Sequence, residues 1–600
     1  MTSKADRAYL KRSAGGAIAL PAERPLALLI VTDGDRDRTN TCLASVAEHL
    51  PDLPVYAYGA EVATKYPGVH CVSGPLDVSP AVAFNVLAEH APPDADLLLL
   101  PAGTRLLGPL TRTRELLRRP GVAAVSPMAP EASARRRTPE NLVTRRPPCL
   151  AINRTAWNAL GAFDEEFFGY GEAADWQARA HAAGWRVLTV DERGVEHTAT
   201  GPQRLTDAAH RRNRDLARAN AALLLEHRRG VHRADAYLAG AAAWGRLRRP
   251  NRRRTELPSV VITTNRLVYG GAERQKALLA TELDRRGYPV TIVCVQRFGP
   301  LIAEIPDTVR VIRQPWWAPI IDVADGPAVL ISGDTNTEVG FATLWRAAGR
   351  GRRWMVAPHV PPEPDRPIYS RPLTAAMRRA DGFIVLAQRH WDMLLDQHRL
   401  CGRHFIAPNG VVVTGDPAPR RRADGAPLHL VMLSRIVEHK NPHLLIEALR
   451  GLAEIPWRLS IFGDGPDRQR LEAGTPAALR DRVRWHGWAA GPGPALADAD
   501  LLCVPSRSEA FPLVIVEAMA RGVPVAASAI CAVPEMLDFG RAGFLVEPVT
   551  VSGWRECLAR IMADPDALPA VGRRGQQRMR KHYTVQAMAD AYLDAIGAVL

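Results

Sequence analysis

The chain has 600 residues, of which 47% are hydrophobic and 23% are charged. That composition is typical of a globular protein and excludes a disordered or fibrous one, while the length predicts several domains, since one core seldom supports more than about 250–300 residues. The formal charge of +14 is compatible with nucleic acid, an anionic membrane or a phosphorylated substrate, and does not choose between them.

The sequence gives little indication of a targeting signal, a disulfide framework or a zinc site. Lys4, Arg7, Lys11 and Arg12 precede an apolar stretch that stops at Pro21, which is too short for a convincing signal peptide. The sequence has no run of 18 apolar residues, the length that would predict a membrane-spanning helix. The eight cysteines show neither a CxxC pair nor a metal-type spacing with histidine. We therefore expect a cytoplasmic protein without disulfides or zinc, whose residues 1–24 form an N-terminal tail.

Short apolar strands alternate with helices in the first third of the chain. The pattern predicts strands at 26–31, 55–58, 97–100 and 187–190, and helices at 80–90 and 172–183. Such alternation is typical of an α/β domain with a mostly parallel sheet, which we place at residues 25–202.

Residues 203–256 follow as a basic helical connector and linker. From Arg211 to Arg254 there are thirteen arginines and three acidic residues. The ordinary interpretation is a solvated helix face, and the alternative is peripheral contact of residues 211–254 with an anionic membrane. Aromatic residues do not alternate with these arginines as they do in single-strand binders, so we expect no nucleic acid partner.

Two more arrays of strands and helices make up the rest of the chain. The first starts at strand 259–264 and occupies residues 257–415; the second starts at strand 428–433 and occupies residues 416–600. Successive doubly wound sheets usually bind a nucleotide in the crevice at the carboxyl ends of their strands. The sequence therefore predicts a site between the two arrays.

Two cations flank the turn that follows strand 428–433. Arg435 lies at its start, and Lys440 lies just before Asn441 and Pro442, which predict an N-cap and a first helical turn. Cations beside helix N–H groups would bind a diphosphate, because both features favour negative charge. Two solvent-exposed cations without a ligand are the structural alternative.

Glycine-rich strand ends recur further along. Strand 459–462 runs into Gly463 and Gly465, and residues 483–488 end at Trp488. Glycine lets a ligand approach the backbone, and the neighbouring loop could grip a base, although either segment alone is a weak signal.

Residues 506–520 carry the most informative pattern. Glu509 lies just before a helix begun by Pro512, where a carboxylate remains ionised and can accept sugar hydroxyls. Glu517 lies two turns into that helix among apolar residues, where it could accept both ribose hydroxyls. A glutamate in such surroundings is costly to bury without partners, which favours a function.

This segment resembles the E-x7-E element of the GT4 family of retaining glycosyltransferases, which have the GT-B fold. Residues 521–528, 534–537 and 542–548 match the pattern that follows it in the family, and the resemblance covers roughly residues 257–590. It implies a hexosyltransferase-type enzyme that transfers a sugar from a nucleotide-diphosphate sugar with retention of configuration, without a cofactor or metal. Residues 257–415 would then be the acceptor side and residues 416–600 the donor side.

The resemblance also extends to residues in the preceding array. Gly270 and Gly271 match the glycine loop near the donor phosphates, His359 matches the histidine beside the transferred sugar, and residues 407–411 match the interdomain ProAsnGly turn. Val412 and Ala510 depart from the family pattern, which bears on sugar identity more than on the reaction. The implied catalytic residues are His359, Arg435, Lys440 and Glu509, and the implied donor-binding residues are Gly270, Gly271, Gly463, Gly465, Trp488, Phe511, Pro512, Leu513 and Glu517. No acceptor base stands out.

Residues 148–197 are similar to the acceptor-side half of GT2 glycosyltransferases, which have the GT-A fold. Asn85 and His197 also fit that family's pattern. Its acids are missing, however: the strand at 55–58 lacks a following aspartate, Ala102 and Gly103 replace the Asp-x-Asp pair, and Ala173 replaces the usual catalytic aspartate. We predict an inactive structural or acceptor-binding module. The alternatives are a second active transferase that uses Asp33, Asp35, Glu172 or Asp175, and a non-catalytic scaffold that binds nucleic acid or a membrane.

Overall fold

The computed structural model describes residues 24–600 except 33, 60–67, 75–77, 129–139, 141–142, 144–148, 198–205, 249–254, 324, 364–365, 414, 416–424 and 490. The chain divides into two compact units. The first comprises Met1–Pro250, Arg266–Tyr269 and Gln296–Pro315, and the second comprises Asn251–Asn265, Gly270–Val295 and Trp316–Leu600.

Sheet one has seven strands in the order β3-β2-β1-β4-β7-β6-β8. Its strands run parallel except β7, which is antiparallel to both neighbours. The bounds are β1 Leu26–Val31, β2 Val55–Tyr58, β3 Val69–Val72, β4 Asp96–Pro101, β6 Val122–Met128, β7 Leu150–Ile152 and β8 Arg186–Arg193, and a separate pair is formed by β5 Thr104–Leu106 and β9 Val195–His197. The accompanying helices are α1 Arg36–His49, α2 Pro80–His90, α3 Thr111–Leu117, α4 Arg154–Leu160 and α5 Glu172–Ala182.

Two helices then form the part that the sequence identifies as a basic connector. Helix α6 spans Asp207–Arg229 and helix α7 spans Val231–Leu247, with a break at Gly230, whose φ of 86° is unfavourable for other residues. The linker residues 249–254 lie outside the described residues.

Helix α6 is not a freely solvated arm, because several of its charged side chains are paired within the first unit. Arg212 is buried and donates to the carbonyls of Ile305 and Pro306, each at 2.8 Å. Glu226 accepts from Arg297 at 2.9 Å and from Arg313 at 2.7 Å. The ordinary interpretation of a solvated helix face therefore does not hold for Arg212, which is buried.

Sheet two has the strand order β12-β11-β10-β13-β14-β15-β16, and sheet three the order β19-β18-β17-β20-β21-β22. The strands of sheet two are β10 Ser259–Arg266, β11 Val290–Arg297, β12 Arg310–Arg313, β13 Ala328–Ser332, β14 Arg352–Val356, β15 Gly382–Val385 and β16 His404–Ile406; those of sheet three are β17 Leu428–Leu433, β18 Trp457–Phe462, β19 Val483–Gly487, β20 Leu501–Val504, β21 Val525–Ser528 and β22 Phe544–Val546. The expected α/β architecture is confirmed.

Helices cover these two sheets, and their central strands read as continuous apolar runs because both faces are buried. The helices are α8 Gly271–Arg285, α9 Asn336–Ala347, α10 Arg371–Met377, α11 Gln388–His398, α12 Pro442–Arg450, α13 Arg468–Ala473, α14 Pro492–Leu496, α15 Leu513–Ala520, α16 Val533–Met536, α17 Val551–Ala563, α18 Leu568–His582 and α19 Val585–Val599. Short 3-10 helices lie at Pro300–Glu304, Glu438–Lys440, Ala477–Leu479, Asp538–Gly540 and Pro565–Ala567.

The last helix, α19, packs on sheet two although it follows sheet three in the chain. Val411 and Thr584 form an isolated parallel bridge just before this helix. Further along, Arg286 pairs with Asp590 at 2.5 Å, and Arg353 donates to the carbonyl of Val599 at 2.9 Å. Sheet two is thus completed by the C-terminal residues of the chain.

Within the described part of the chain, the helices are either too short or too polar to cross a lipid bilayer. All eight cysteines are free thiols, of which Cys71 and Cys401 are exposed and the others buried.

Candidate active site in the second unit

The turn after β17 carries the first two predicted cations. It passes through the 3-10 helix Glu438–Lys440 and reaches α12 at Pro442, as the sequence predicts. Asn441 occupies the N-cap position, but its side chain makes no capping hydrogen bond, and its backbone is left-handed with φ of 64°. The expected side-chain cap is therefore wrong: Asn is used here because it tolerates a conformation that most residues avoid.

Lys440 points toward the segment that carries Glu509. Its Nζ forms an ion pair with Glu509 Oε1, and Ser506 Oγ lies 3.4 Å from the same oxygen. The side chains of Lys440 and Glu509 are 17% and 18% exposed, so both are shielded from bulk water yet reachable. Sequence reasoning treats these residues as two separate motifs, and the structure brings them into direct contact.

A cavity of about 280 Å³ surrounds this ion pair. It lies at the carboxyl ends of β17 and β20, beside the start of α15, where parallel α/β sheets usually bind ligands. No side chain caps α15, and the start of a helix favours an anionic group because its first N–H groups point outward. The lining residues are Gly271, Met432, Leu433, Ser434, Lys440, Cys503, Val504, Pro505, Ser506, Glu509, Phe511, Pro512, Leu513 and Val514.

Glycines bring the strand ends next to this cavity into close contact. A Cβ on Gly463, whose φ is 128°, would lie 1.8 Å from the carbonyl oxygen of Ser434. A Cβ on Gly465 would lie 2.2 Å from the carbonyl oxygen of Ile436. Only glycine fits at these positions, because the end of β18 packs directly against the turn that leads to Lys440.

Glu517 lies half-buried on α15, two turns from its start. Burial raises the pKa of its carboxyl group, and the positive charges of Arg274 and Arg521 oppose that rise. A half-buried carboxylate can accept hydrogen bonds from hydroxyl groups, and the role of Glu517 toward a ribose stays a prediction.

His359 lies on the loop after β14, and Asp334 binds the backbone of that loop. Asp334 Oδ2 accepts from the backbone N–H groups of His359 and Val360 at 3.2 and 3.3 Å, and from the Tyr369 hydroxyl at 2.6 Å. Burial lowers the pKa of His359, and the charge of Lys276 lowers it further, so the imidazole is neutral near pH 7. Its Nδ1 lies 3.0 Å from the Ala357 carbonyl, and a hydrogen bond with the Asn409 side chain opposes the lowering of its pKa.

Elements that accompany sheets two and three contact each other beside the cavity and further from it. Gly271 opens α8, and a Cβ there would meet Leu513 Cδ1 at 3.4 Å. Glu535 accepts from the backbone N–H groups of Gln388 and Arg389, at 3.1 and 2.8 Å, at the start of α11. Sequence reasoning did not assign Glu535, Asp334 or Tyr369 a role, because their partners are backbone groups or lie far away in the sequence.

The predicted residues therefore fall into two groups. Lys440, Glu509, Phe511, Pro512, Leu513 and Gly271 line one cavity. Arg435 is exposed, Trp488 is 76% exposed, and Gly270, Gly463, Gly465, His359 and Glu517 do not line that cavity.

In the first unit, side chains near the missing acids serve packing. Gly103 lies against Arg38, whose Nη2 would be 2.8 Å from a Cβ there, and Ala173 is buried in the core. Asp35 caps α1 by accepting from the N–H groups of Asp37 and Arg38. Asp33 lies outside the described residues, as does the side chain of His197.

Asp175 and Asn85 are also held by neighbours in this unit. Asp175 pairs with Arg179 at 2.9 Å and with His227 at 3.0 Å; burial alone would raise its pKa, but these hydrogen bonds bring it below the ordinary value. Asn85 makes hydrogen bonds of 3.0 Å with both backbone groups of Phe163 and with Glu165.

Asp164, Asp175 and His227 place their donor atoms within 4.8 Å of one another, close enough for a metal ion. We interpret the group as ion pairs instead, because Arg179 already occupies one oxygen of Asp175 and His227 the other. The protonated imidazole is favoured here: its hydrogen bond to Asp175 raises the pKa of His227, against the opposing effect of burial.

Comparison with known proteins identifies the part of the chain that holds most of this cavity. Residues 427–564 match the family model described as glycosyl transferases group 1. This match includes the β17 and β20 strand ends and the start of α15, and so most of the residues that line the cavity.

Individual relatives point the same way. The chain is 30% identical over 190 residues to the lipopolysaccharide core biosynthesis glycosyltransferase LpsE of Rhizobium meliloti, covering 32% of this chain and 55% of the relative. It is 34% identical over 217 residues to the D-inositol 3-phosphate glycosyltransferase of Gordonia bronchialis, covering 32% and 47%. The chain thus spans about half the length of these curated relatives.

Among solved structures, a glycosyltransferase from Rickettsia africae is similar with a TM-score of 0.48 at 15% identity, covering 57% of this chain and 99% of that one. Anabaena HepE, solved in complex with UDP, is similar with a TM-score of 0.47 at 18% identity, covering 57% and 100%.

Proposed function

We propose that this chain is a glycosyltransferase that transfers a sugar from a nucleotide-diphosphate sugar to an acceptor hydroxyl in the cavity around Lys440 and Glu509. The observation that carries the proposal is the contact of these two residues beside the uncapped start of α15. A cation, a carboxylate and helix N–H groups within one cavity suit a ligand that has both a diphosphate and sugar hydroxyls.

The reaction breaks the bond between the anomeric carbon and the diphosphate oxygen and forms a bond between that carbon and the acceptor oxygen. The acceptor proton leaves with the departing diphosphate, so no separate base is assigned. Lys440, with Arg435 from the other end of the same turn, stabilises the negative charge that develops on the leaving oxygen. The acceptor attacks the face from which the diphosphate departs, and configuration is retained.

The remaining predicted residues have positioning roles in this proposal. Glu517 accepts the ribose hydroxyls, and Glu509 accepts hydroxyls of the transferred sugar once the donor displaces its contact with Lys440. His359, whose pKa burial lowers, is able to hydrogen-bond to the sugar as a neutral imidazole. Basic side chains and helix N–H groups stabilise the negative charge of the diphosphate, so the proposal requires no metal.

We further propose that the first unit does not catalyse a second transfer. Arg38 stands beside Gly103, where a metal-binding enzyme of the GT2 type would need carboxylates, and a guanidinium there repels a divalent cation. Asp175 is engaged by Arg179 and His227 and so is not poised as a base. These contacts suit a structural or acceptor-binding module.

A screen of nucleotide sugars against the full chain tests the proposal. One donor is expected to raise the unfolding temperature and to be slowly hydrolysed, and EDTA should leave both effects unchanged. The Lys440→Ala variant is the matched control and should lose the thermal shift, whereas Lys581→Ala, at an exposed lysine far along the chain on α18, should keep it. No shift with any donor would contradict the assignment, and a strict, restorable manganese requirement would move catalysis to the first unit.

A further inference from the structure

The C-terminal end of α7 exposes two large apolar side chains to solvent. Trp244 is 58% exposed and Leu247 is 76% exposed, and residues three apart lie on the same side of a helix. The other side of α7 is occupied, because Ala234 and Leu238 are buried in a small core shared with Ala222 of α6. The apolar end is thus held at the surface of the unit by its own helix packing.

Basic side chains surround this apolar end. Arg246 and Arg248 are exposed, and the guanidinium of Arg248 lies 4.6 Å from the centre of the Trp244 ring. Arg228, Arg229 and Arg233, at the junction of α6 and α7, are exposed as well. The sequence contains no aspartate or glutamate between Asp235 and Glu256, so this stretch of sequence carries positive charge only.

We propose that this end of α7, formed by Trp244, Leu247, Arg246 and Arg248, docks on the surface of an anionic lipid membrane. Tryptophan suits the boundary between lipid headgroups and acyl chains because its ring is apolar and its N–H is polar. Leu247 enters the apolar layer beside it, and the arginines pair with lipid phosphates. The helix lies on the membrane and does not cross it.

The alternative partner with the same charge, nucleic acid, fits less well. One face of the Trp244 ring is already covered by Arg248, which leaves less of it for stacking on a base. Leu247, the more exposed of the two side chains, gains nothing from contact with a phosphate backbone. An apolar tip within a basic ring favours a bilayer.

The docking surface is also much smaller than the basic stretch 211–254. Arg212 is buried on the carbonyls of Ile305 and Pro306, so it cannot contribute to membrane contact. The proposal accordingly assigns the affinity to one helix end and not to the total charge of the stretch, which makes it testable by few substitutions.

Cosedimentation of the full chain with vesicles provides the test. We expect binding to phosphatidylglycerol-containing vesicles that falls as salt rises, and little binding to pure phosphatidylcholine. The double variant Trp244→Ala/Leu247→Ala should weaken binding at least tenfold, while Phe539→Ala/Leu395→Ala, which removes two side chains 67% and 42% exposed elsewhere, should bind as wild type does. Arg246→Gln/Arg248→Gln should weaken binding and reduce its dependence on salt.

Unfolding temperatures of all variants should match that of the wild type, because the altered side chains are exposed. Equal binding to neutral and anionic vesicles, unchanged binding by Trp244→Ala/Leu247→Ala, or preferential retention on DNA at the same salt would overturn the proposal. The assay requires no sugar transfer, so its outcome is independent of the proposed catalytic function.

Discussion

The strand ends of sheet one and sheet three carry different residues on a similar α/β framework. After β4, sheet one has Ala102, which is buried, and Gly103, which lies against the side chain of Arg38. After β17 and β20, sheet three has Lys440 and Glu509, which meet in a cavity. This difference is the reason that we propose chemistry at sheet three and not at sheet one, since a fold alone does not determine a function.

The largest effect is expected from Gly463→Ala. The new Cβ would lie 1.8 Å from the carbonyl oxygen of Ser434, at a φ of 128° that other residues avoid. We expect a loss of about 3 kcal/mol or more in the free energy of unfolding, together with loss of transfer. Chemical denaturation measures the first. Gly474→Ala is the control, since φ is −74° there and the nearest atom lies 3.4 Å away; equal stability of the two variants would contradict the close packing.

The site in sheet three is tested directly by Lys440→Ala and Glu517→Ala. If these residues bind diphosphate and ribose, each substitution should lower kcat/KM by at least about tenfold, which corresponds to about 1.4 kcal/mol. Neither is needed for the core, so unfolding midpoints should change little. Steady-state transfer assays with the donor found by screening measure the effect, and wild-type turnover in either variant would remove that residue from the site.

For Asp175→Asn in the first unit we expect lower stability with unchanged sugar transfer, the reverse of the result expected for Lys440→Ala and Glu517→Ala. Removing this charge leaves Arg179 and His227 without their shared partner, which should lower the free energy of unfolding by about 1–3 kcal/mol. Transfer by the folded protein should remain at the wild-type level. Asp191→Asn, at an exposed position of β8, controls for the charge change. A loss of kcat beyond about tenfold without unfolding would make the first unit catalytic.

A smaller, pH-dependent effect should follow His227→Gln. The folded-state pKa of His227 is raised, chiefly by its hydrogen bond to Asp175, so its ion pair stabilises the fold fully below the unfolded-state pKa and is lost as pH rises through the folded-state pKa. The variant should therefore be less stable than wild type by roughly 1 kcal/mol near pH 5.5 and about equal near pH 9. Urea denaturation across this range measures the difference; a constant gap would show that packing dominates.

The sequence predicts the strands and helices well because each apolar strand is bounded by polar or turn-forming residues. β1, β2 and β17 begin and end where the predicted strands do, and α2 spans the predicted residues 80–90. These features depend on neighbours along the chain, which a single sequence displays directly.

Contacts between distant residues are what the sequence does not reveal. The pairing of Lys440 with Glu509, and of Glu535 with the start of α11, joins residues that no local spacing connects. The burial of Arg212 is equally hidden, because an arginine that packs on carbonyl groups looks the same in a sequence as one in water. Tertiary structure alone separates these cases.

The return of α19 to sheet two has a practical consequence for dividing the chain. A fragment cut at the joint near residue 415 would leave sheet two without the helix that meets Val411, Arg286 and Arg353. The complementary fragment would carry that helix with its apolar side, including Tyr592 and Ile596, exposed to water. Each half would then have an uncovered hydrophobic surface and a tendency to aggregate, so coexpression of both fragments, with α19 free to dock across, is the arrangement in which separate halves should remain soluble.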